Sequence, residues 1–100
     1  MKNFDIVITG AGPAGLMAAA VAAGADKKTA LIEKNSRPGK KLLLTGGGRC
    51  NLANYTTNFH ELVEQYGEKG KFLYSGFDSF GLFHTLDFFH QQGLSTITDE

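Results

Sequence analysis

Apolar and polar positions follow two different rhythms along this chain. Residues 4–8, "FDIVI", form a short, mostly apolar run soon followed by glycine, the pattern of a buried strand. From Pro13 to about Ala25 the chain is dense in alanine, the best helix former, with Leu16, Met17 and Val21 available for packing. Residues 29–33, "TALIE", make a second buried strand. Strand, glycine turn, helix and strand compose a βαβ unit, whose crossover is expected to be right-handed.

Beyond Glu33 the rhythm is lost. Residues 34–57 are polar, basic and glycine-rich, with "LLL" at 42–44 their only apolar run, and a connection this long inside a compact domain is usually functional. Helical spacing returns in "NFHELVEQYG". Asn58 can cap this helix, Glu61 stands at the capping-box position, and Phe59, Leu62, Val63 and Tyr66 share a face. Gly67 can end it in a left-handed conformation. A third helix is expected over about 80–92, with Gly93 as its stop, and "LSTIT" at 94–98 reads as an edge strand. Two parallel strands and three helices do not cover both faces of a sheet, so the chain reads as part of something longer.

Composition narrows the classes. The chain has 100 residues, formal net charge zero, 42% hydrophobic residues and eleven aromatics, which allow one small folded domain and argue against disorder. Balanced charge argues against a dedicated nucleic-acid or anionic-membrane binder, which carries a basic stripe. A single cysteine, Cys50, cannot form an internal disulfide, in keeping with a reducing compartment. Residues 6–25 are uncharged and follow Lys2, superficially like an export signal. They are built of Ala and Gly, however, interrupted by Pro13, and poor in the Leu, Ile and Phe that favour insertion. The expected location is cytoplasmic, without a membrane partner.

Gly10, Gly12 and Gly15 spell G-x-G-x-x-G. The string is weak alone, but here it follows a strand, opens a helix, and precedes by eighteen residues an acid, Glu33, at the end of the next strand. That is the context of a dinucleotide-binding, Rossmann-like unit. Gly10 permits the turn, Gly12 lets the backbone approach a pyrophosphate, and Gly15 lets helix and strand pack closely. Ala11, Pro13 and Ala14 complete the loop, and the helix N-terminus offers N–H groups and a positive dipole end. Glu33 is placed to accept hydrogen bonds from an adenosine ribose and to repel a 2′-phosphate. Where such units commonly have a glycine, seven residues before the acid, this chain has Asp26, which tolerates a left-handed backbone better than most residues.

Nicotinamide and flavin dinucleotides both satisfy that motif. The stretch "EKNSRPGKKLLLTGGGRCN" adds Lys34, Arg37, Lys40 and Lys41 close to Glu33, then a second glycine turn. Successive glycine N–H groups make an anion-binding nest, and bare backbone can pass beneath a ribityl chain or flat ring. Two glycine turns fit the two ends of one extended cofactor, FAD.

The segments "GAGPAGLMAA", "EKNSRPGKKLLLTGGGRCNLAN" and "GKFLYSGFDSFG" resemble the BaiN-type, aminoacetone-oxidase-like family of bacterial FAD-dependent oxidoreductases, over essentially all of residues 4–100. The resemblance implies an α/β fold with an FAD-binding domain assembled from both ends of the chain and interrupted by a second domain. Residues 1–100 would then be the incomplete N-terminal part of a larger two-domain flavoprotein, inactive as an isolated piece. It further implies that Gly10, Gly12 and Gly15 serve the pyrophosphate, Glu33 the ribose, and Lys34 and Lys41 its polar surroundings. Thr45, Gly46, Gly47, Gly48, Arg49 and Asn51 would approach the ribityl or ring end. Family members often carry Asn-x-Thr-Asn after the cysteine; Ala53 stands here in place of the threonine, which removes any hydroxyl contact at that position.

Other residues have plainer readings. Cys50 beside Arg49 has the surroundings of a reactive thiolate, but no second cysteine supports redox work, and packing within the loop is the expected role. Arg49 suits either an anionic ligand or a local acid. His60, His84 and His90 lack the spacing of a metal set. The aromatics from Phe72 to Phe89 are expected in the core, "EKGK" at 68–71 in a solvated loop, and Tyr74 and Ser75 are minor candidates for the flavin side. The expected activity is hydride or electron transfer through FAD on a small-molecule substrate, with NAD(P)H or oxygen as electron partner and no assigned catalytic residue. An NAD(P)-dependent dehydrogenase and a non-enzymatic nucleotide-binding module share the first motif.

Overall fold

A computed structural model describes residues 1–99. The chain divides into two compact units, Met1–Asn51 and a second beginning at Leu52.

The first unit is a βαβ unit of α/β class. Strands β1 (Ile6–Thr9) and β2 (Thr29–Ile32) pair in parallel, Ile6 opposite Thr29 through Thr9 opposite Ile32. Helix α1 (Pro13–Gly24) packs on both. Side chains alternate across a strand, so Ile6, Ile8 and Leu31 share one face and Val7 and Ile32 the other. The first face meets α1, since Ile8 lies against the Gly15 position, whereas Val7 and Ile32 are 57% and 55% exposed. Parallel sheets are normally covered on both faces, and here one face is bare.

The end of α1 shows why Asp26 is acceptable. Its φ is +59°, the one left-handed non-glycine residue among those described. The N–H of Asp26 donates to Ala23 O (3.1 Å) and that of Lys27 to Ala22 O (3.3 Å), closing a Schellman motif with Asp26 in the position glycine usually takes. Asp26→Gly is therefore expected to stabilise the protein by about 0.5–1 kcal/mol, because glycine carries no Cβ penalty there. Thermal or denaturant unfolding of the full-length protein checks this, and a decrease in stability would contradict it.

The long connection is partly helical. Gly39, buried with φ +69°, opens α2 (Lys40–Leu44), so the "LLL" run belongs to a helix. Leu43 and Leu44 remain exposed. A 3₁₀ turn at Gly46–Gly48 follows, all three glycines having positive φ.

The second unit is helical. In α3 (Phe59–Glu64) the Asn58 side chain accepts from His60 N–H (3.1 Å), so Asn58 caps the helix as expected. Glu61 instead accepts from the Asn58 side-chain amide (3.0 Å), in place of the backbone N–H that a capping box would use. Val63 is buried. The "EKGK" stretch is no simple solvated loop: it lies in a 3₁₀ turn, Gly67–Phe72, with Gly70 buried against α3. A Cβ on Gly70 would lie 2.5 Å from Val63 O and 2.9 Å from Tyr66 Cβ, so only glycine permits that approach. Helix α4 (Leu73–Ser79) was not legible in "LYSGFDS", whose glycine and serines are poor helix formers. Helix α5 (Leu82–Gln91) is slightly shorter than expected.

Two expectations fail here, the second in part. Residues 94–98 are not a strand. Gly93 (φ +85°) and Leu94 close a Schellman motif on α5, with Leu94 N–H donating to Phe89 O (3.1 Å), and among the described residues the second unit has no strand for them to join. The aromatics enter a core only in part: Tyr74, Phe77, Phe88 and Phe89 are half-buried, whereas Phe72, Phe80 and Phe83 are 78%, 44% and 56% exposed, because these short helices leave one side of each uncovered. Among the described residues no helix is long and apolar enough to cross a membrane.

Candidate functional site

The site is built where β1 turns into α1. Gly10, with φ +93°, donates its N–H to Ile32 O at 2.7 Å, which ties the turn to the end of β2. Ala11 is almost wholly buried and held at both ends of its peptide units. Its N–H donates to Glu33 Oε2 (2.8 Å), and its carbonyl accepts from Gly39 N–H (2.7 Å). Gly12 is the N-cap of α1 and Pro13 its first residue, where the missing N–H costs nothing. The N–H groups of Ala14 and Gly15, in the first turn, have no acceptor one turn earlier in the helix.

Two glycines here have different reasons. A Cβ on Gly15 would fall on the carbonyl oxygen of Gly10, so loop and helix close up only without a side chain. A Cβ on Gly12 would meet nothing within 4 Å. Its bareness is not needed for packing, and it leaves the backbone open on the cleft side.

That cleft has a volume of about 720 Å³ and is lined by residues 9–15, 32–35, 40 and 41. The size is typical of small-molecule and cofactor sites. Glu33 is the one acid in the lining; Lys34, Lys40 and Lys41 are the cations. Together with the positive end of α1 they favour a phosphate-bearing ligand near the loop. Glu33 Oε1 accepts from both the backbone N–H and the side-chain amide of Asn35, each at 3.0 Å. The Asn35 N–H, then the Ala11 N–H, hold the Glu33 carboxyl below the usual carboxylate range, because they bond to its charged form.

A glycine loop with an open N-cap, a strand-end acid and flanking lysines is the make-up of a dinucleotide site. The chain belongs to the HI0933-like protein Rossmann domain family. Its family model matches residues 4–100, the family of the BaiN-type, aminoacetone-oxidase-like proteins whose motifs the chain carries. The 3-dehydro-bile acid delta(4,6)-reductase of Clostridium scindens is 38% identical over 93 residues, 91% of this chain and 22% of that protein. The ribosomal RNA dihydrouridine synthase of Escherichia coli is 46% identical over 54 residues, 54% of this chain and 14% of that protein. Its counterpart in Haemophilus influenzae is 42% identical over 48 residues, 48% and 12% respectively. The chain thus spans less than a quarter of the length of these relatives.

Of the residues expected at the site, Gly10, Ala11, Gly12, Pro13, Ala14, Gly15, Glu33, Lys34 and Lys41 come together in this cleft. Thr45, Gly46, Gly47, Gly48, Arg49 and Asn51 do not line it. The Gly46–Gly48 turn is local: Arg49 N–H donates to Gly46 O (2.9 Å) and Thr45 Oγ1 to Leu42 O (3.0 Å). Cys50 is exposed, contrary to the packing role expected of it, since its loop carries the thiol on the outside. Asn35 and Lys40 also line the cleft, Lys40 being one of the cations that follow Glu33 in the sequence, and Gly39 braces it from behind through its bond to Ala11. The Pro38-Gly39 pair is the turn marker that precedes the new helix.

In the second unit a smaller cleft, about 220 Å³, lies between α3 and the α4–α5 corner. Tyr74 and Ser75 do not line it; the Tyr74 ring instead stands edge-on to Phe59 and tilted against His60. His84 caps α5 by accepting from Gly81 N–H (3.1 Å), and His90 bonds to Thr96 (2.8 Å).

Proposed function

We propose that this chain is the N-terminal, FAD-binding part of a flavin-dependent oxidoreductase. The observation that carries the reading is the cleft itself, where the unobstructed Gly12 at the start of α1 and the Glu33 carboxylate, bonded to the neighbouring Ala11 N–H, line one space. The loop fits a pyrophosphate: Gly12 leaves the backbone bare, Ala14 and Gly15 offer N–H groups, and Lys34, Lys40 and Lys41 add positive charge. Glu33, ionised and half-buried, fits an adenosine ribose. Bound there, FAD would supply hydride or electron transfer at its isoalloxazine, and the protein's part is to hold and orient it.

In this reading Ala11 is the keystone of the loop. Its two hydrogen bonds, to Glu33 and from Gly39, keep the first-turn N–H groups aimed at one place before any ligand arrives. Such preorganisation strengthens binding by removing an ordering cost. The triple-glycine turn at 46–48 is assigned to the ribityl or ring end. Its three left-handed glycines present bare main chain, a conformation that side chains strongly disfavour.

The substrate is assigned elsewhere. The relatives' names give a bile acid to one and a ribosomal RNA to the others, on the same nucleotide-binding module, so the choice lies in segments outside it. To the whole protein we assign a small-molecule substrate, a nicotinamide or oxygen as electron partner, and a cytoplasmic location, with which the lone cysteine of residues 1–100 is in keeping.

The absorption spectrum of the full-length protein tests the cofactor. Flavin bands in the purified protein, or after added FAD, are expected. Their absence, with binding of a reduced nicotinamide instead, would favour a dehydrogenase using the same loop.

A further inference from the structure

Asn35 lines the cleft with its side chain engaged in a way the cofactor reading leaves unused. Its backbone N–H and its Nδ2 both donate to Glu33 Oε1 at 3.0 Å, while Oε2 accepts the Ala11 N–H at 2.8 Å. A carboxylate oxygen has two lone pairs. Oε1 is therefore fully used, and Oε2 keeps one for a ligand.

A local turn at 33–35 needs only the Asn35 backbone N–H, which any residue but proline provides. The side-chain amide is additional. It adds a third point of attachment to a carboxylate at the end of a flexible side chain, one with several rotamers to lose on binding. We infer that Asn35 is a positioning residue for the adenosine ribose, its amide fixing the rotamer in which Glu33 offers its remaining Oε2 lone pair to the cleft. The role rests on the FAD reading above, since it concerns the adenosine half of that cofactor.

The test compares ADP and 2′,3′-dideoxy-ADP as probes on the full-length protein freed of flavin. Dissociation constants are measured for wild type, Asn35→Ala, Glu33→Gln and the double variant. Asn35→Ala keeps the backbone bond and removes only the amide. It is expected to weaken ADP about three- to tenfold, the range of one net hydrogen bond, and to leave dideoxy-ADP unchanged. In the Glu33→Gln background the same substitution should cost less, since the amide offers one acceptor oxygen where the carboxylate offered two.

Equal weakening of both probes, full additivity with Glu33→Gln, or no loss of ADP affinity would each overturn the role of Asn35 while the cofactor reading stands. A wild-type protein that binds neither ADP nor FAD would overturn the cofactor reading, and this role with it.

Discussion

Gly15→Ala is expected to destabilise the full-length protein by about 2–4 kcal/mol and to abolish measurable FAD binding. The new methyl group would fall on the Gly10 carbonyl oxygen, main chain on a tight turn that cannot swing aside. Helix propensity works the other way, because alanine inside a helix is worth about 1 kcal/mol more than glycine. Steric overlap wins, since forcing atoms into a closed site costs 1–3 kcal/mol or more and here meets backbone. Gly12→Ala separates folding from binding. Its methyl group meets no protein atom within 4 Å and φ is −80°, so the loss of stability should stay under about 1 kcal/mol. Affinity for FAD should nonetheless fall at least tenfold, because the methyl group occupies the open side of the loop. Denaturation curves and flavin fluorescence titrations decide both. A Gly12→Ala protein that binds FAD as wild type does would place the pyrophosphate elsewhere.

Glu33→Arg is expected to weaken FAD on the order of a hundredfold. The substitution removes the acceptor of the Ala11 N–H, frees Asn35, and turns the only acid of the lining into a fourth cation beside Lys34, Lys40 and Lys41. Hydrogen bonds to charged groups are among the stronger ones, so losing the proposed ribose contact and the Ala11 loop tie together accounts for that size. Inorganic pyrophosphate is the informative control. It has no ribose and gains from added positive charge, so its affinity should hold or rise. Unchanged FAD affinity would remove Glu33 from the site.

The acid response has a definite sign. The Asn35 and Ala11 N–H groups depress the folded-state pKa of Glu33 below its ordinary value of 4.5. Its contribution is thus present at and above that ordinary value, and is lost as pH falls through the depressed one. The gap between wild type and Glu33→Gln should stay level through neutral pH and narrow only in acid beyond the usual carboxylate range.

Features set by near neighbours in the chain could be read from the residues. The Asn58 cap, the left-handed stop at Gly93 and the left-handed Asp26 each depend on a handful of adjacent positions, whereas Gly67, left-handed as expected, opens the next turn after α3 has already ended at Glu64. Such motifs carry their physics within one or two helical turns. The fingerprint was legible for the same reason, because its glycines and its acid stand at fixed distances on either side of one helix.

What sequence could not supply is how the distant pieces of the cleft lock together. Ala11 and Glu33 are 22 residues apart, and although Pro38-Gly39 marks a turn, nothing in "RPGKK" announces that the Gly39 N–H will donate to the glycine loop. The exposed aromatics, the missing strand at 94–98 and the buried Gly70 are of the same kind. Each turns on whether another segment arrives to cover, pair or crowd it. The chain by itself determined a dinucleotide-type loop, its helix and its acid, because local backbone preference sets them. Only the tertiary structure decided that Asn35 lines the same cleft and that Glu33 and Gly39 clasp Ala11 from two sides, because hydrogen bonds between remote segments form only once the fold brings those segments together.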